Sequence, residues 1–304
     1  MENLTEERSL HPVSSILLFV ATLFLGFLII GPLVGFFLAL PFYRGNFMAL
    51  AEAITSGEIS EEIRIPFLVM QGCASGIGLI VIPALAYQFI AKMNFSKLFQ
   101  SSPFLVFGLT AAAVIAFMFP NSMVIEWNAE LNFSGSFWQW AREKEELAEK
   151  FTRFLTTFQS PGEFSVAFII IAVLPAVGEE FAFRGWLQPA LWKVSGNPHI
   201  AIWGAAFLFS AIHLQFFGFA PRILLGALFG YLMYWSNNLW VPVVAHLVNN
   251  GFSLVMMYFH QLKIVDFDAE NTKALPLTFV IPSALLFIFL MLYLKKIIQR
   301  EKAA

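Results

Sequence analysis

A single cysteine, Cys73, stands in 304 residues, which excludes an intrachain disulfide and any cysteine-based metal centre. Charge is equally scarce. Asp, Glu, Lys and Arg make up 12% of the chain, about half the share of a soluble domain. With a net charge of −2 and no basic stripe, the chain lacks the footprint of a nucleic-acid-binding protein, so no nucleic-acid partner is expected. No internal repeat is visible, which weighs against a transporter built from inverted halves. A cleaved signal peptide is not expected either. The leader Met1-Glu2-Asn3-Leu4-Thr5-Glu6-Glu7-Arg8 is acidic, and the apolar run behind it, from Val13 to Leu40, is too long for an h-region. It reads as a retained first span.

What is present is hydrocarbon. Apolar residues form 59% of the chain and the mean hydropathy is +0.73, values that place it in the bilayer. Apolar stretches separated by polar or Gly/Pro punctuation predict eight spans. They are Val13–Leu40 (with a kink at Gly31-Pro32), Ile65–Ala91, Phe104–Ile125, Phe164–Val194, Ile200–Phe217, Arg222–Trp235, Leu239–Leu262 and Leu275–Ile298. The fifth and sixth are short for a full crossing. The expected fold is all-α, a polytopic membrane protein forming a single domain over residues 1–304. Gly72/Gly76 and Gly226/Gly230 are small-xxx-small pairs whose expected role is close helix packing.

The one sizeable polar insert, residues 127–162, is expected outside the membrane. From Phe137 to Phe158 it places Trp140, Leu147, Phe151, Phe154, Leu155 and Phe158 on one helical face and charged residues on most of the remainder. That pattern fits an amphipathic helix lying in the membrane interface, with membrane lipids as partners. A soluble helical cap is the other reading. Eight spans would put both termini on one side, and Lys295, Lys296, Arg300 and Lys302 after the last span assign that side to the cytoplasm. A prokaryotic plasma membrane fits the acidic leader and the absence of a targeting segment.

Against this background two adjacent carboxylates, Glu179 and Glu180, sit inside the fourth span with Arg184 close behind. Each charge there costs about 2.5–3.5 kcal/mol at the bilayer centre, so the group reads as a site or as a structural ion-pair cluster. Glu180 and Arg184 are four residues apart on one helical face and pair. Glu179, about 140° round the helix from Arg184, is left available, and an apolar setting suits it to acid–base work. The fifth span carries Phe209 and His213, and the seventh carries His246, Asn249 and Asn250, with His246 and Asn250 sharing a face. Glu179 lies 17 residues before Gly196 and His213 lies 17 after, so two continuous helices would bring both to one depth, in a cavity opening inward.

The ordered set Glu-Glu-x-x-x-Arg, Phe-x-x-x-His and His-x-x-x-Asn resembles the CAAX protease and bacteriocin-processing family of intramembrane endopeptidases, the type II CAAX prenyl endopeptidases. The resemblance covers about residues 164–258, the expected catalytic core. It implies that Glu179 and His213 activate a water, that His246 and Asn250 stabilise the oxyanion, and that Glu180, Arg184, Phe209 and Asn249 support them. It also implies a peptide or lipidated protein substrate, prenylated CAAX proteins among the class. Glu179, His213 and His246 could together bind zinc, but His-Glu-x-x-His is missing, and a glutamate-activated water without metal is the preferred expectation. A proton-coupled transporter and a non-catalytic immunity protein are the rival readings. Natural substrate and oligomeric state are not legible in the chain.

Overall fold

The computed structural model describes residues 10–56, 59–132, 134–267 and 271–303; the acidic leader lies outside them. Every element is helical, with no strand among the described residues. We number the helices α1 (Pro12–Phe42), α2 (Phe47–Ser56), α3 (Glu61–Ile90), α4 (Phe104–Ala129), α5 (Ser136–Leu155), α6 (Pro161–Ser195), α7 (Pro198–Ala211), α8 (Phe216–Ser236), α9 (Trp240–Gln261) and α10 (Leu277–Ala303). The chain is an all-helical, polytopic integral membrane protein.

Seven of these helices, rather than eight, are long and apolar enough to cross a bilayer. The shortfall is α7. Its 14 residues rise about 21 Å, against a hydrocarbon core of about 30 Å. Helix α8, by contrast, reaches 21 residues because a 3₁₀ turn at Phe216–Gly218 extends its start. Losing one crossing also removes the parity argument that set both termini on one side. The tight connection from α6 to α7 is as the sequence suggests: Gly196 closes α6 in the left-handed region at φ 67°, and the Asn197 side chain caps α7 through the N–H of His199.

Proline governs the internal register of the long helices. Five stretches widen from α to π among the described residues; Phe24–Ile30, Ala74–Val81, Phe168–Val173 and Phe181–Leu187 each end two residues before a proline, and Ala86–Ile90 does not. The residue preceding Pro32, Pro83, Pro175 and Pro189 donates its N–H to the carbonyl five positions back. A proline offers no N–H to the carbonyl four back and its ring crowds that oxygen, so a wider turn relieves the clash. In α4 the helix runs through Pro120 without such a change, and we have no physical account of the difference.

Helices α1 and α3 cross at Gly26 and Gly78, not at the Gly72/Gly76 pair. A Cβ on Gly78 would lie 2.5 Å from the Gly26 carbonyl oxygen and 2.6 Å from Phe27 Cα. Gly78→Ala must therefore push backbone apart, and a loss of about 1–3 kcal/mol is expected, read as a lower Tm in detergent. An unchanged melting temperature would show that the crossing is looser than this geometry. The Gly226/Gly230 pair does mark a close approach. A Cβ on Gly226 would meet Ala206 of α7 at 3.0 Å, and one on Gly230 would meet Ile202 at 2.8 Å.

Helix α5 forms as the amphipathic pattern predicts, but it is seated partly by a residue assigned to its polar face. Ala141 and Phe154 are buried, Phe151 packs against Phe67 of α3, and Trp140 and Leu147 face outward. Glu145 turns inward, where its Oε2 accepts the N–H of Phe217 at 3.3 Å. Arg142 lies over the Phe217 ring, and Phe137 and Trp140 meet Phe216 edge-on. The helix thus rests on the segment that follows His213.

Burial pushes the Glu145 carboxyl above its ordinary range, against the opposing pull of the Phe217 N–H and the Arg222 charge. A raised folded-state value means stability that is present below the unfolded value and lost as pH rises through the folded one. Glu145→Gln keeps an acceptor for Phe217 and is expected to raise Tm at pH 8, with the gain shrinking toward pH 4.5. A lower Tm at pH 8 would mean that the attraction to Arg222 outweighs burial.

Candidate active site

The site begins with a short α-helical piece of α6, Leu174–Glu180, set between the π stretches relieved by Pro175 and Pro189. A cluster of buried aromatics surrounds the segment after it. Phe19 of α1 meets Phe183 and Trp186 edge-on, Tyr87 of α3 meets Phe181 and Trp186, and the Trp186 indole donates to Ser15 Oγ at 2.8 Å. This apolar shell excludes water and fixes the helix from which the carboxylates project.

Glu180 and Arg184 are both fully buried and pair as their spacing predicts, Arg184 Nη1 donating to Glu180 Oε1 at 2.7 Å. Both terminal nitrogens of the arginine are engaged, while its Nε has no partner among the described residues. Its Nη2 donates to the Gly226 carbonyl at 2.9 Å, and its guanidinium lies 4.6 Å from the Phe209 ring centroid and 5.4 Å from that of Phe229. Glu180 Oε1 also meets His246 Nδ1 at 2.8 Å. One carboxylate oxygen therefore joins α6 to α9, while Glu180 Oε2 has no partner among the described residues.

These contacts settle which histidine nitrogens carry hydrogen. A carboxylate paired with arginine only accepts, so His246 Nδ1 bears the proton toward Glu180. His246 Nε2 then faces Glu179 Oε2 at 3.8 Å. Glu179 is 15% exposed and forms no hydrogen bond among the described residues. This difference between neighbouring glutamates is the chemical core of the site.

His213 is not on a span. It sits two residues past the end of α7, in a turn where Leu214 takes a left-handed φ of 53°. That conformation is strained for a leucine, by about 1–2 kcal/mol. His213 Nδ1 meets the Phe209 carbonyl oxygen at 2.8 Å, so Nδ1 again carries the hydrogen and Nε2 keeps a lone pair. Glu179 is the charge that acts most strongly on this ring. Phe209 serves twice, since its ring also contacts His213 at 5.1 Å and stands edge-on to His246 at 6.0 Å. On α9, Asn249 Nδ2 donates to Asn250 Oδ1 at 3.1 Å, which leaves the Asn250 NH₂ as an uncommitted donor.

Glu179, His213 and His246 are not drawn together as a three-ligand cluster, and no three His, Cys, Asp or Glu among the described residues are so placed.

Several supporting residues were not anticipated, and most lie on or just before α8. Phe229 stacks on His246, with centroids 5.2 Å apart and planes at 24°. Gly226 supplies the carbonyl for Arg184, and the Gly-x-x-x-Gly signal marked its position without revealing that role. Asn128 of α4 pins the turn after His213 through the Phe216 carbonyl and the Ala220 N–H, and Ser210 Oγ donates to the Phe219 carbonyl. Arg222, whose Nη2 donates to Gln215 Oε1 at 2.8 Å, was visible as a lone charge opening an apolar helix.

Fold and site together define an integral membrane protein that encloses a glutamate, two histidines and an amide within its helical bundle. Residues 161–252 match the family model described as type II CAAX prenyl endopeptidase Rce1-like, so the resemblance carried by the three motifs holds over the segment containing all of them. Among curated proteins, the uncharacterized protein YpbD of Bacillus subtilis (strain 168) is 28% identical over 99 residues, covering 31% of this chain and 48% of YpbD. The chain thus spans about half the length of that relative. No solved structure matches.

Proposed function

We propose that the protein is an intramembrane endopeptidase that hydrolyses a peptide bond of a membrane-associated substrate, prenylated CAAX proteins being the class to test first. The observation that carries this reading is the unequal state of the two glutamates. Glu180 spends Oε1 on Arg184 and His246, whereas Glu179 is unbonded, slightly exposed and faced by a histidine nitrogen.

Glu179, assisted by His213 Nε2, removes a proton from water, and the hydroxide adds to the scissile carbonyl carbon. The oxyanion that forms takes hydrogen bonds from the Asn250 amide and from His246 Nε2–H. His246 donates in this way when both of its ring nitrogens carry hydrogen. The proton held on the Glu179–His213 pair passes to the amide nitrogen, the C–N bond breaks, and one carboxylic acid and one amine leave. We assign the protein to a prokaryotic plasma membrane with a cytoplasmic C-terminus, in keeping with the positive charges after α10.

The test uses detergent-purified full-length protein and a fluorogenic farnesylated CAAX peptide, with and without a chelator. Cleavage that survives the chelator is the expected result. Cleavage abolished by the chelator and restored by added zinc would replace the metal-free step. No cleavage would remove prenylated peptides as substrates.

A further inference from the structure

Arg222 stands at the start of α8 beside the site and takes no part in the proton transfers described for it. Its Nη2 donates to a neutral partner, Gln215 Oε1, while its Nη1 is buried and has no partner among the described residues. Two carboxylates are near enough to act on it electrostatically, Glu145 and Glu179, and it acts in turn on His213. Neither carboxylate is hydrogen-bonded to it. Glu145 Oε2 instead accepts the N–H of Phe217, and Glu179 faces His246. A guanidinium cannot shed its proton, and its planar fork matches the two oxygens of a carboxylate. Arg184, by contrast, has a carboxylate oxygen of Glu180 against Nη1 and the Gly226 carbonyl against Nη2. Arg222 has an amide on one side and an empty donor on the other, on the helix that begins where the His213 turn ends.

We propose that Arg222 binds a carboxylate of the peptide substrate and so selects peptides that carry a negative charge close to the scissile bond. This rests on the endopeptidase reading and names its substrate more narrowly. The carboxylate has two possible sources, the free C-terminus of the peptide or an acidic side chain. A C-terminal source makes the protein an enzyme that trims short segments from chain ends. A side-chain source makes it one that cuts at internal acidic positions. Arg222 is a positioning residue here, and its effect belongs mainly in KM.

The experiment compares three forms of one fluorogenic farnesylated CAAX peptide: the free acid, the C-terminal amide, and the amide with glutamate as last residue. For wild type, kcat/KM for the acid should exceed that for the plain amide by about tenfold or more, as expected for one charge-assisted pair. In Arg222→Gln that ratio should fall to about one, and Arg222→Lys should recover part of it. A glutamate-ended amide that matches the acid would identify a side-chain carboxylate as sufficient; one that matches the plain amide would identify the C-terminus. An acid-to-amide ratio unchanged in Arg222→Gln overturns the proposal. Equilibrium binding of the same acid and amide to Glu179→Gln keeps the question separate from hydrolysis. Tighter binding of the acid supports the role of Arg222 even if wild type leaves every peptide whole, which would sink the endopeptidase reading instead. Equal binding of acid and amide sinks the arginine's role even if wild type cleaves both.

Discussion

Glu179→Gln is expected to reduce peptide hydrolysis by about 10²–10⁴-fold while leaving Tm within about a degree of wild type. The first figure is the usual contribution of a positioned general base. The second follows from what the side chain touches. Glu179 makes no hydrogen bond among the described residues, and its nearest ionic neighbour is His246 Nε2 at 3.8 Å. An amide of the same shape therefore costs the fold little, yet it cannot accept a proton from water. His213→Ala should lose activity comparably, since the base and its partner act as a unit. Measuring rate and melting temperature on one preparation separates the effects. If Glu179→Gln retained more than a tenth of the activity, the role of general base would have to move elsewhere, with His213 next in line.

Arg184→Ala is expected to fail in the opposite way, by destabilising the protein by about 3–5 kcal/mol, the usual cost of stranding one member of a buried ion pair. Both side chains are 0% exposed, so Glu180 would keep a charge with no solvent to receive it. The substitution would also free the Gly226 carbonyl and empty the space between Phe209 and Phe229. The informative control is the double variant Glu180→Gln with Arg184→Met, which removes both charges and keeps most of the volume. It should melt well above Arg184→Ala, because no buried charge is left without its counter-charge. It should also be impaired in hydrolysis, because His246 would lose the carboxylate that fixes its protonated nitrogen. An Arg184→Ala protein that purified normally and melted like wild type would show that the pair is not structural.

The hydrophobic runs made the helices legible, since a span is a composition signal about twenty residues long. The Glu180–Arg184 pair was legible because four residues return to the same helical face even where the helix widens. The position of His213 was not. Periodicity does not say where a helix stops, and the sequence reading extended α7 to Phe217 although it ends at Ala211. The inward turn of Glu145 was hidden because its partner, the Phe217 N–H, lies 72 residues away. Phe229 was invisible for a different reason. One ring among 36 phenylalanines carries no mark of stacking on a histidine. The crossing of Gly26 on Gly78 depends on the angle between two helices, which neither sequence spacing nor glycine content specifies.

The single oxygen of Glu180 that serves both Arg184 and His246 also bears on how such a site is inherited. A lineage that loses the arginine first acquires a destabilised protein, and one that loses the glutamate first leaves an arginine without its counter-charge. Either route leads through a descendant less fit than its parent, so neutral drift is closed at these positions one residue at a time. Arg184, Glu180 and His246 are therefore expected to change as a block rather than singly. A descendant that gave up hydrolysis by changing Glu179 alone would keep this block intact, and would still fold as its active ancestor did.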